Sequence, residues 1–299
     1  MIVKRHEDRS ESRAGWAFVT PALLLIGVFF VIPVIAAFLL SFTDFDIYSI
    51  GNPADTRFIG LANYGTLFSS PLFWKALRNT AYYVIVGGPL SVVASLAAAV
   101  LINSRLTRWK PFFRSAFFAP WVTTLVAVAL VWRYIYHPQY GPLNALLGVF
   151  GIGPIDWLGN SHWAMPAIIL VSIWKNFGYN MLIFLAGLQA IPEELYEAAE
   201  LDGAGAWHRF RHVTVPMLGP TFLFVGIVTM ISAFQIFSEP YVMTQGGPLN
   251  STLTLVLYMY EQGFRWWRLG FAAAVAVVLF LLTLVGTLIQ WGLRRESAA

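Results

Sequence analysis

The sequence predicts an all-α membrane protein that crosses the bilayer six times. Of its 299 residues, 58% are hydrophobic and 11% are charged, and the mean hydropathy is +0.66, so there is too little polar surface for a soluble globule. The chain also contains separate apolar stretches, each close to the roughly 20 residues that a helix needs to cross the hydrocarbon core. We place them at about 16–42, 81–102, 115–134, 163–188, 217–237 and 269–293.

The first stretch follows basic residues, as a secretory signal peptide does. Its apolar run is longer than the about 7 to 15 residues of a signal-peptide core, so we interpret it as a retained helix, with cleavage as the alternative. The predicted organisation is a cytoplasmic tail over 1–15, a six-span domain over 16–293 and a second tail over 294–299.

The distribution of basic residues predicts the orientation. An even number of spans puts both termini on one side, and twelve of the 19 Lys and Arg residues fall on that side, with the remaining seven on or near the other. Because cytoplasmic loops are enriched in Lys and Arg, we expect both termini, the 103–114 loop and the 191–216 loop to be cytoplasmic. The twelve are Lys4, Arg5, Arg9, Arg13, Arg105, Arg108, Lys110, Arg114, Arg209, Arg211, Arg294 and Arg295.

Several function classes are disfavoured. The net charge of +4 does not indicate a nucleic-acid partner, because the basic residues sit at the ends of apolar runs. The chain has no cysteine, and its histidines lack metal-ligand spacing among carboxylates, so we expect no metal site. Without paired catalytic carboxylates we assign no catalytic residue, and an intramembrane enzyme is the least favoured class.

Tryptophans near the predicted span ends, Trp121 among them, are interpreted as interfacial anchors.

The 191–216 loop is unusually polar for this chain. Pro192 followed by two glutamates is typical of a helical first turn, where negative charge is favourable. Gly203 and Gly205 can end that helix, and "AWHRFRHVTVP" continues as a second short amphipathic segment. We therefore predict two short helices joined at a glycine turn, with an acidic surface that suits a basic cleft on a soluble partner; an amphipathic loop lying on the membrane is the alternative.

Segment 197–216 resembles the "EAA" loop of bacterial ABC importer permeases, whose pattern is EAA-x3-G-x9-I-x-LP. Here the segment reads EAA, three residues, Gly203, nine residues, Val213, one residue, then Val215 and Pro216, with valine in place of isoleucine and leucine. Further segments are similar to the carbohydrate branch of that family, the maltose and glycerol-phosphate type, and to its first permease subunit. These are "FIGLANY" (58–64), "ALRNT" (76–80), "LQAIP" (188–192) and "TQGGPLNSTLTL" (244–255).

The resemblance implies a type I ABC importer permease fold in a bacterial inner membrane. It also implies that a cytoplasmic coupling helix between spans four and five binds an ATPase subunit, with the coupling residues Glu197, Ala198, Ala199, Asp202 and Gly203. The motif G-x4-G-K-[ST] is absent from the sequence, so ATP and magnesium are expected on separate ATPase subunits and no cofactor on this chain. The implied partners are a second homologous permease, two ATPases, an extracytoplasmic solute-binding protein, a sugar and membrane lipid. A homodimer of permeases remains the alternative to a heterodimer.

Polar residues within two predicted spans indicate a solute path, since polar groups in the membrane are costly unless they face a partner or a cavity. The fourth-span residues fall on one helical face, and the fifth-span residues spread over a neighbouring arc. Amides, carboxylates and an aromatic ring suit a sugar, and the resemblance implies that these two spans hold it, with Tyr179 at an aromatic binding position. Hydrogen bonds between neighbouring helices are the alternative role. The predicted substrate-binding residues are Asn176, Tyr179, Asn180, Thr229, Ser232, Gln235 and Glu239.

Lys175 and Glu239 carry opposite charges within predicted spans, and an ion pair between them is a further hypothesis. The leading function is a permease subunit of an ATP-driven importer of a disaccharide, an oligosaccharide or a glycerol phosphate. An ion-coupled secondary transporter of a polar solute is the alternative, supported by these two charges but opposed by the lack of a visible inverted repeat.

Overall fold

A computed structural model describes residues 3–52, 55–104 and 106–297, without the side chains of 3–14, 50 and 293–297. Arg105 and the terminal basic side chains used in the orientation argument therefore lie outside the described residues. Within the described ranges the backbone is helical, with one isolated antiparallel bridge between Thr43 and Phe58. The predicted all-α class is confirmed.

The α-helices follow one another with short connections. In chain order they are α1 (Val3–Ile26), α2 (Ile32–Leu40), α3 (Ile47–Gly51), α4 (Ala62–Ser69), α5 (Pro71–Tyr82), α6 (Gly88–Asn103), α7 (Lys110–Val122), α8 (Leu125–Ile135), α9 (Pro142–Val149), α10 (Ala164–Gln189), α11 (Glu193–Leu201), α12 (Ala206–Arg209), α13 (Val215–Met217), α14 (Gly219–Phe234), α15 (Ser238–Met243), α16 (Leu255–Tyr260) and α17 (Leu269–Ser297).

Five helical segments of the described chain are long and apolar enough to cross a membrane, and a bent pair of helices makes a sixth if it counts as one span. This agrees with the predicted six. The five are Gly15–Leu40, Pro71–Asn103, Ala164–Gln189, Gly219–Met243 and Leu269–Gly292.

The third predicted span, 115–134, is not one helix. It is α7 and α8, which meet at 98° across a two-residue break. Thr123 and Thr124 have extended backbone there, with ψ of 148° and 134°. The expectation of a continuous third helix was therefore wrong.

The fifth predicted span, 217–237, also differs from one continuous helix. Its main helix ends at Phe234, and α15 begins only at Ser238. Proline lacks an N–H, and its ring collides with the carbonyl four residues earlier, which for Pro240 is the Ile236 carbonyl. The Thr254 hydroxyl donates to that carbonyl at 2.9 Å, so the break leaves it satisfied.

Three of the four π-helical turns in the described chain lie at the same position relative to a proline. They are Gly27–Val31, Tyr83–Gly87 and Phe210–Thr214. Each ends two residues before a proline, and these prolines are Pro33, Pro89 and Pro216. A proline cannot complete the preceding α-helical turn, and the helix widens where that hydrogen bond is missing.

The described chain divides into two compact units, one of residues 1–69 with 259–278 and one of residues 70–258 with 279–299. In the first unit, the end of α2 is tied to the FIGLANY segment. The Asn63 side-chain amide donates to the Ser41 and Thr43 carbonyls at 2.9 and 2.8 Å, and the Ser41 and Tyr64 hydroxyls lie 2.7 Å apart. These bonds satisfy the carbonyls that the helix end leaves open.

The same unit contains an exposed ion pair. The backbone N–H and the Nε of Arg57 donate to the two carboxylate oxygens of Asp44 at 2.7 and 2.8 Å. The backbone hydrogen bond from Arg57 is the largest cause that lowers the pKa of Asp44, and the guanidinium lowers it further.

In the second unit, α10 contributes to two buried apolar clusters. It supplies Ile168 and Val171 to the first cluster, and Met181 and Phe184 to the second. Ala98 and Ala99 of α6 belong to the second cluster, where their small side chains allow α6 and α10 to approach closely. The polar residues of the segment 172–180 lie between the two clusters along α10.

Candidate functional site

A cavity of about 430 Å³ opens within the second unit. This volume falls in the range of roughly 300–1,000 Å³ that small-molecule sites occupy. Residues of α6, α10, α14 and α15 line it, together with the π-turn before α6 and the tip of α7. The lining includes all seven residues predicted to bind substrate, namely Asn176, Tyr179, Asn180, Thr229, Ser232, Gln235 and Glu239. Their binding role stays a prediction.

The α10 wall follows helical spacing. Ser172 and Asn176 lie one turn apart, and the adjacent residues Tyr179 and Asn180 follow one turn later on the same face, where all four line the cavity. The Asn176 amide nitrogen donates to the Ser172 carbonyl at 2.9 Å, which fixes the orientation of that side chain. Ser172 is a lining residue that the sequence analysis missed, although it lies four residues before Asn176 on the same face.

The α14 wall is joined to α10 by a hydrogen bond. The Asn180 amide nitrogen donates to the Thr229 hydroxyl at 3.0 Å. For these two residues the alternative role, bonding between helices, is therefore present, even though both also line the cavity. Ser232 and Gln235 line the cavity further along and are exposed to it.

Trp121 forms an aromatic wall together with Tyr179. Their ring centroids are 4.9 Å apart and their planes differ by 14°, which is a stacked pair. Trp121 was interpreted as an interfacial anchor, and in the structure it lines the cavity near the end of α7, just before the break. Pro120 in an apolar run, three residues before Thr123, was the available signal that this helix could end early.

Lys175 lies beside that break and is 7% exposed. Its ammonium donates to the Trp121 and Thr123 carbonyls at 3.2 Å each, and to the Pro120 carbonyl at 3.5 Å. The last carbonyls of a helix have no intrahelical donor, and a cation is favourable at that end of the helix dipole. Lys175 therefore caps the C-terminus of α7 from a neighbouring helix.

The hypothesis of a Lys175–Glu239 ion pair is wrong for this structure. Among the described residues, no cationic nitrogen lies within 4.0 Å of the Glu239 carboxylate, which instead accepts a hydrogen bond from the Ser172 hydroxyl at 3.3 Å. Glu239 is 9% exposed and lines the cavity. Lys175 instead donates to carbonyls at the end of α7.

The hairpin between α10 and α14 has the predicted helices and turn. Gly203 has a φ of +76°, which glycine adopts without penalty. Its N–H donates to the Glu200 carbonyl at 3.0 Å, and the Ala204 N–H donates to the Ala199 carbonyl at 2.9 Å. This pair of bonds is the Schellman arrangement that ends a helix at a glycine.

Side-chain contacts hold the hairpin in shape. The Tyr196 and Thr214 hydroxyls lie 2.9 Å apart, and Arg209 forms an ion pair with Glu200. Tyr196 packs against the second apolar cluster. Glu197, Ala198 and Asp202 are exposed, as are Leu201 at 90% and Trp207 at 71%. The hairpin thus presents a mixed acidic and apolar surface on an anchored base.

Two of the quoted sequence motifs meet in the second unit. From "ALRNT", the Asn79 side-chain amide donates to the Asn250 and Leu253 carbonyls at 2.9 Å each. The Leu255 N–H donates to the Thr80 hydroxyl at 2.9 Å. The motif "TQGGPLNSTLTL" is therefore held by α5 across about 170 residues of sequence, as the separations of 171, 174 and 175 residues show.

Apolar spans around a polar cavity, with an exposed charged hairpin between two of those spans, are features of a membrane protein that moves a polar solute. The chain belongs to the family described as binding-protein-dependent transport system inner membrane component, whose model matches residues 91–295. This membership decides against the ion-coupled alternative and against an intramembrane enzyme.

Full-length relatives agree with the family. The chain is 38% identical over 298 residues to the lactose transport system permease protein LacF of Rhizobium radiobacter, covering 98% of this chain and 97% of the relative. Its fold is similar to that of a chain in a bacterial ABC transporter for the acidic polysaccharide alginate, with a TM-score of 0.81 at 22% identity, covering 98% and 99% of the two chains. A chain of the alginate transporter in complex with an alginate pentasaccharide-bound periplasmic protein also gives 0.81, at 21% identity and 97% and 96% coverage.

Proposed function

We propose that the chain is a permease subunit of an ATP-driven importer and that a saccharide crosses the membrane through the cavity described above. The observation that carries this proposal is the gathering of seven predicted polar residues in one cavity of a family member. Trp121 and Tyr179 give the cavity an aromatic lining that suits the apolar part of a pyranose, and the amides of Asn176 and Gln235 match its hydroxyls. The lactose permease among the relatives supports the same class of substrate.

The partners follow from the arrangement of one hairpin per permease chain. An engine of two ATPases needs two hairpins, so a second homologous permease is expected beside this one. The two ATPases hold the ATP and magnesium, and a solute-binding protein delivers the sugar from outside. The complex of the alginate transporter with its periplasmic protein supports the last of these partners.

The 191–216 hairpin is the proposed ATPase contact. Ala198 adds little bulk to its exposed face, and Glu197 and Asp202 offer charge to a basic groove. Gly203 keeps the turn tight, and Tyr196 ties the hairpin to the packed helices. Movement of an ATPase would therefore reach α10 and α14, which line the cavity.

Glu197→Lys and Gly203→Asp test this assignment in the importer reconstituted with its partner subunits. Both should abolish ATP-dependent uptake while leaving the protein inserted, because one reverses a contact charge and the other strains a positive φ. Asp55→Lys reverses an exposed charge away from the hairpin and should transport normally. Normal uptake by both hairpin variants would refute the coupling role.

Orientation can be tested separately because the chain has no cysteine. Leu201→Cys in the hairpin and Leu249→Cys in the 244–255 segment each create one exposed thiol. A membrane-impermeant maleimide should label intact cells at position 249 and only lysed cells at position 201. The reverse pattern would place the hairpin outside and reject the proposed cytoplasmic termini.

A further inference from the structure

The charged group of the cavity lining is acidic. Among the described residues that line it, Glu239 is the one carboxylate, and there is no Lys, Arg or His. The other polar groups are amides, hydroxyls and an indole, which form hydrogen bonds without carrying charge.

The nearest candidate for a balancing cation is already engaged. Lys175 lies on α10 one residue before the lining residue Asn176, but it is not part of the cavity wall. Its ammonium has three N–H donors, and three carbonyls of the α7 end accept from it. An anion in the cavity would have to displace those carbonyls to reach it.

Glu239 lines the cavity, whereas Lys175 does not. Its carboxylate has Ser172 as a hydrogen-bond partner, and a carboxylate can accept several more bonds. Sugar hydroxyls are donors of that kind. A sugar carboxylate, sulfonate or phosphate has no proton to donate at neutral pH and would face Glu239 as a like charge.

We infer that this cavity selects uncharged saccharides and rejects those that carry a carboxylate, a sulfonate or a phosphate. The inference rests on the proposed function and narrows its substrate class, removing the glycerol-phosphate option. The fold alone does not decide the matter, because the similar alginate transporter imports an acidic polysaccharide. The lining decides it, since an anion that leaves water without a paired cation is disfavoured.

The test measures saccharide binding to the purified permease–ATPase complex without the binding protein, so that the selectivity of the binding protein does not enter. Lactose, maltose and trehalose are compared by saturation-transfer NMR, and each is then compared with its C6-carboxylate derivative. At least one neutral sugar should bind, and its carboxylate should bind at least about tenfold more weakly, as a like charge near Glu239 predicts.

Two variants assign the discrimination to the cavity. The gap is the ratio of the affinities for the neutral sugar and its carboxylate. Glu239→Gln should reduce this ratio by about tenfold, since it removes the like charge and keeps an acceptor. Ser232→Lys places a cation on an exposed part of the lining and should admit the carboxylate. Glu261→Gln removes a carboxylate outside the cavity and should leave the gap unchanged.

The outcomes separate this inference from the proposed function. Equal binding of a neutral sugar and its carboxylate, or a gap that survives both Glu239→Gln and Ser232→Lys, would overturn the inference and leave the saccharide site standing. If none of the neutral sugars binds and none is taken up by the complete importer, the proposed function itself fails for this panel, and the inference fails with it.

Discussion

Replacing Lys175 by methionine should destabilise the break between α7 and α8. Methionine fills a similar volume but has no N–H, so the carbonyls of Trp121 and Thr123 lose their ammonium donor. The Pro120 carbonyl keeps the Thr123 hydroxyl at 2.6 Å and the Thr123 N–H at 3.3 Å as donors. Trp121 is both an acceptor for Lys175 and part of the cavity wall, where it stacks on Tyr179. Loss of the Lys175 contact should therefore also affect that wall.

The size of the effect follows from the contact distances. Two acceptors lie at 3.2 Å, and the third, at 3.5 Å, is marginal. Two hydrogen bonds to a charged group contribute about 3 to 6 kcal/mol in total, and the desolvation penalty of the buried ammonium offsets part of this. We expect Lys175→Met to lower the free energy of unfolding by about 2 to 3 kcal/mol, and the melting temperature by about 5 °C.

Thermal unfolding of the assembled importer in detergent measures this loss, and hydrogen exchange over residues 119–128 locates it. Lys175→Arg keeps the positive charge and the donors and should stay close to the parent. Lys110→Met is the matched control, since the Lys110 ammonium donates to the single carbonyl of Asn103 at 3.2 Å. It should cost less than about 1 kcal/mol.

The reasoning would be refuted by a Lys175→Met importer that melts with the parent and keeps its exchange protection over 119–128. Equal losses in Lys175→Met and Lys110→Met would also contradict it, because the effect would then not depend on the break.

Three further predictions concern packing and loops in the described chain. Asn144→Ala removes a buried side chain that bonds to Pro138, Ile155 and Trp157, and should cost about 2 to 4 kcal/mol in a chemical-denaturation series; a loss below about 1 would show that the network is dispensable. Gly178→Ala puts a methyl group against the Phe117 carbonyl and should cost about 1 to 3 kcal/mol by thermal unfolding. In the control Gly148→Ala the added methyl group meets nothing within 4 Å, so this variant should be neutral or slightly stabilising. Similar results for both variants would contradict the close approach of α7 and α10. Because the pKa of Asp44 is lowered in the folded protein, its stabilising contribution is full above the pKa of an unfolded aspartate. That contribution is lost as the pH falls through the lower pKa of the folded state. Hydrogen-exchange protection of residues 41–64 should therefore drop on acidification below about pH 4. Asp44→Asn should lack this drop, and an identical acid response in both proteins would exclude Asp44 as its source.

Hydropathy alone was sufficient to locate the five long apolar helices, because each needs a long apolar run whatever its neighbours are. The cavity residues of α10 were also predictable, since Asn176, Tyr179 and Asn180 fall on one helical face. The break after α7 was not predicted, because its stability depends on Lys175, more than 50 residues later in the chain. The position of Trp121 in the cavity lining was not predicted either, because it depends on the packing of α7 against α10.

The end of α14 was closer to being predictable. Pro240 stands four residues after Ile236, a local signal that the helix cannot continue unchanged. The satisfaction of the Ile236 carbonyl by Thr254 is a tertiary contact and has no local signature. The ATPase contact and the membrane orientation stay predictions, because they concern partners and a bilayer rather than the fold of this chain.

The three wide turns before Pro33, Pro89 and Pro216 have a consequence for changes in chain length. Deleting one residue from a regular helix rotates everything beyond it by about 100° and turns its buried side outward. A π-helical turn already contains about one residue more than a regular turn, so a deletion there can be absorbed by tightening the turn. Single-residue deletions within 27–31, 83–87 and 210–214 should therefore be tolerated better than deletions in the middle of α10 or α14.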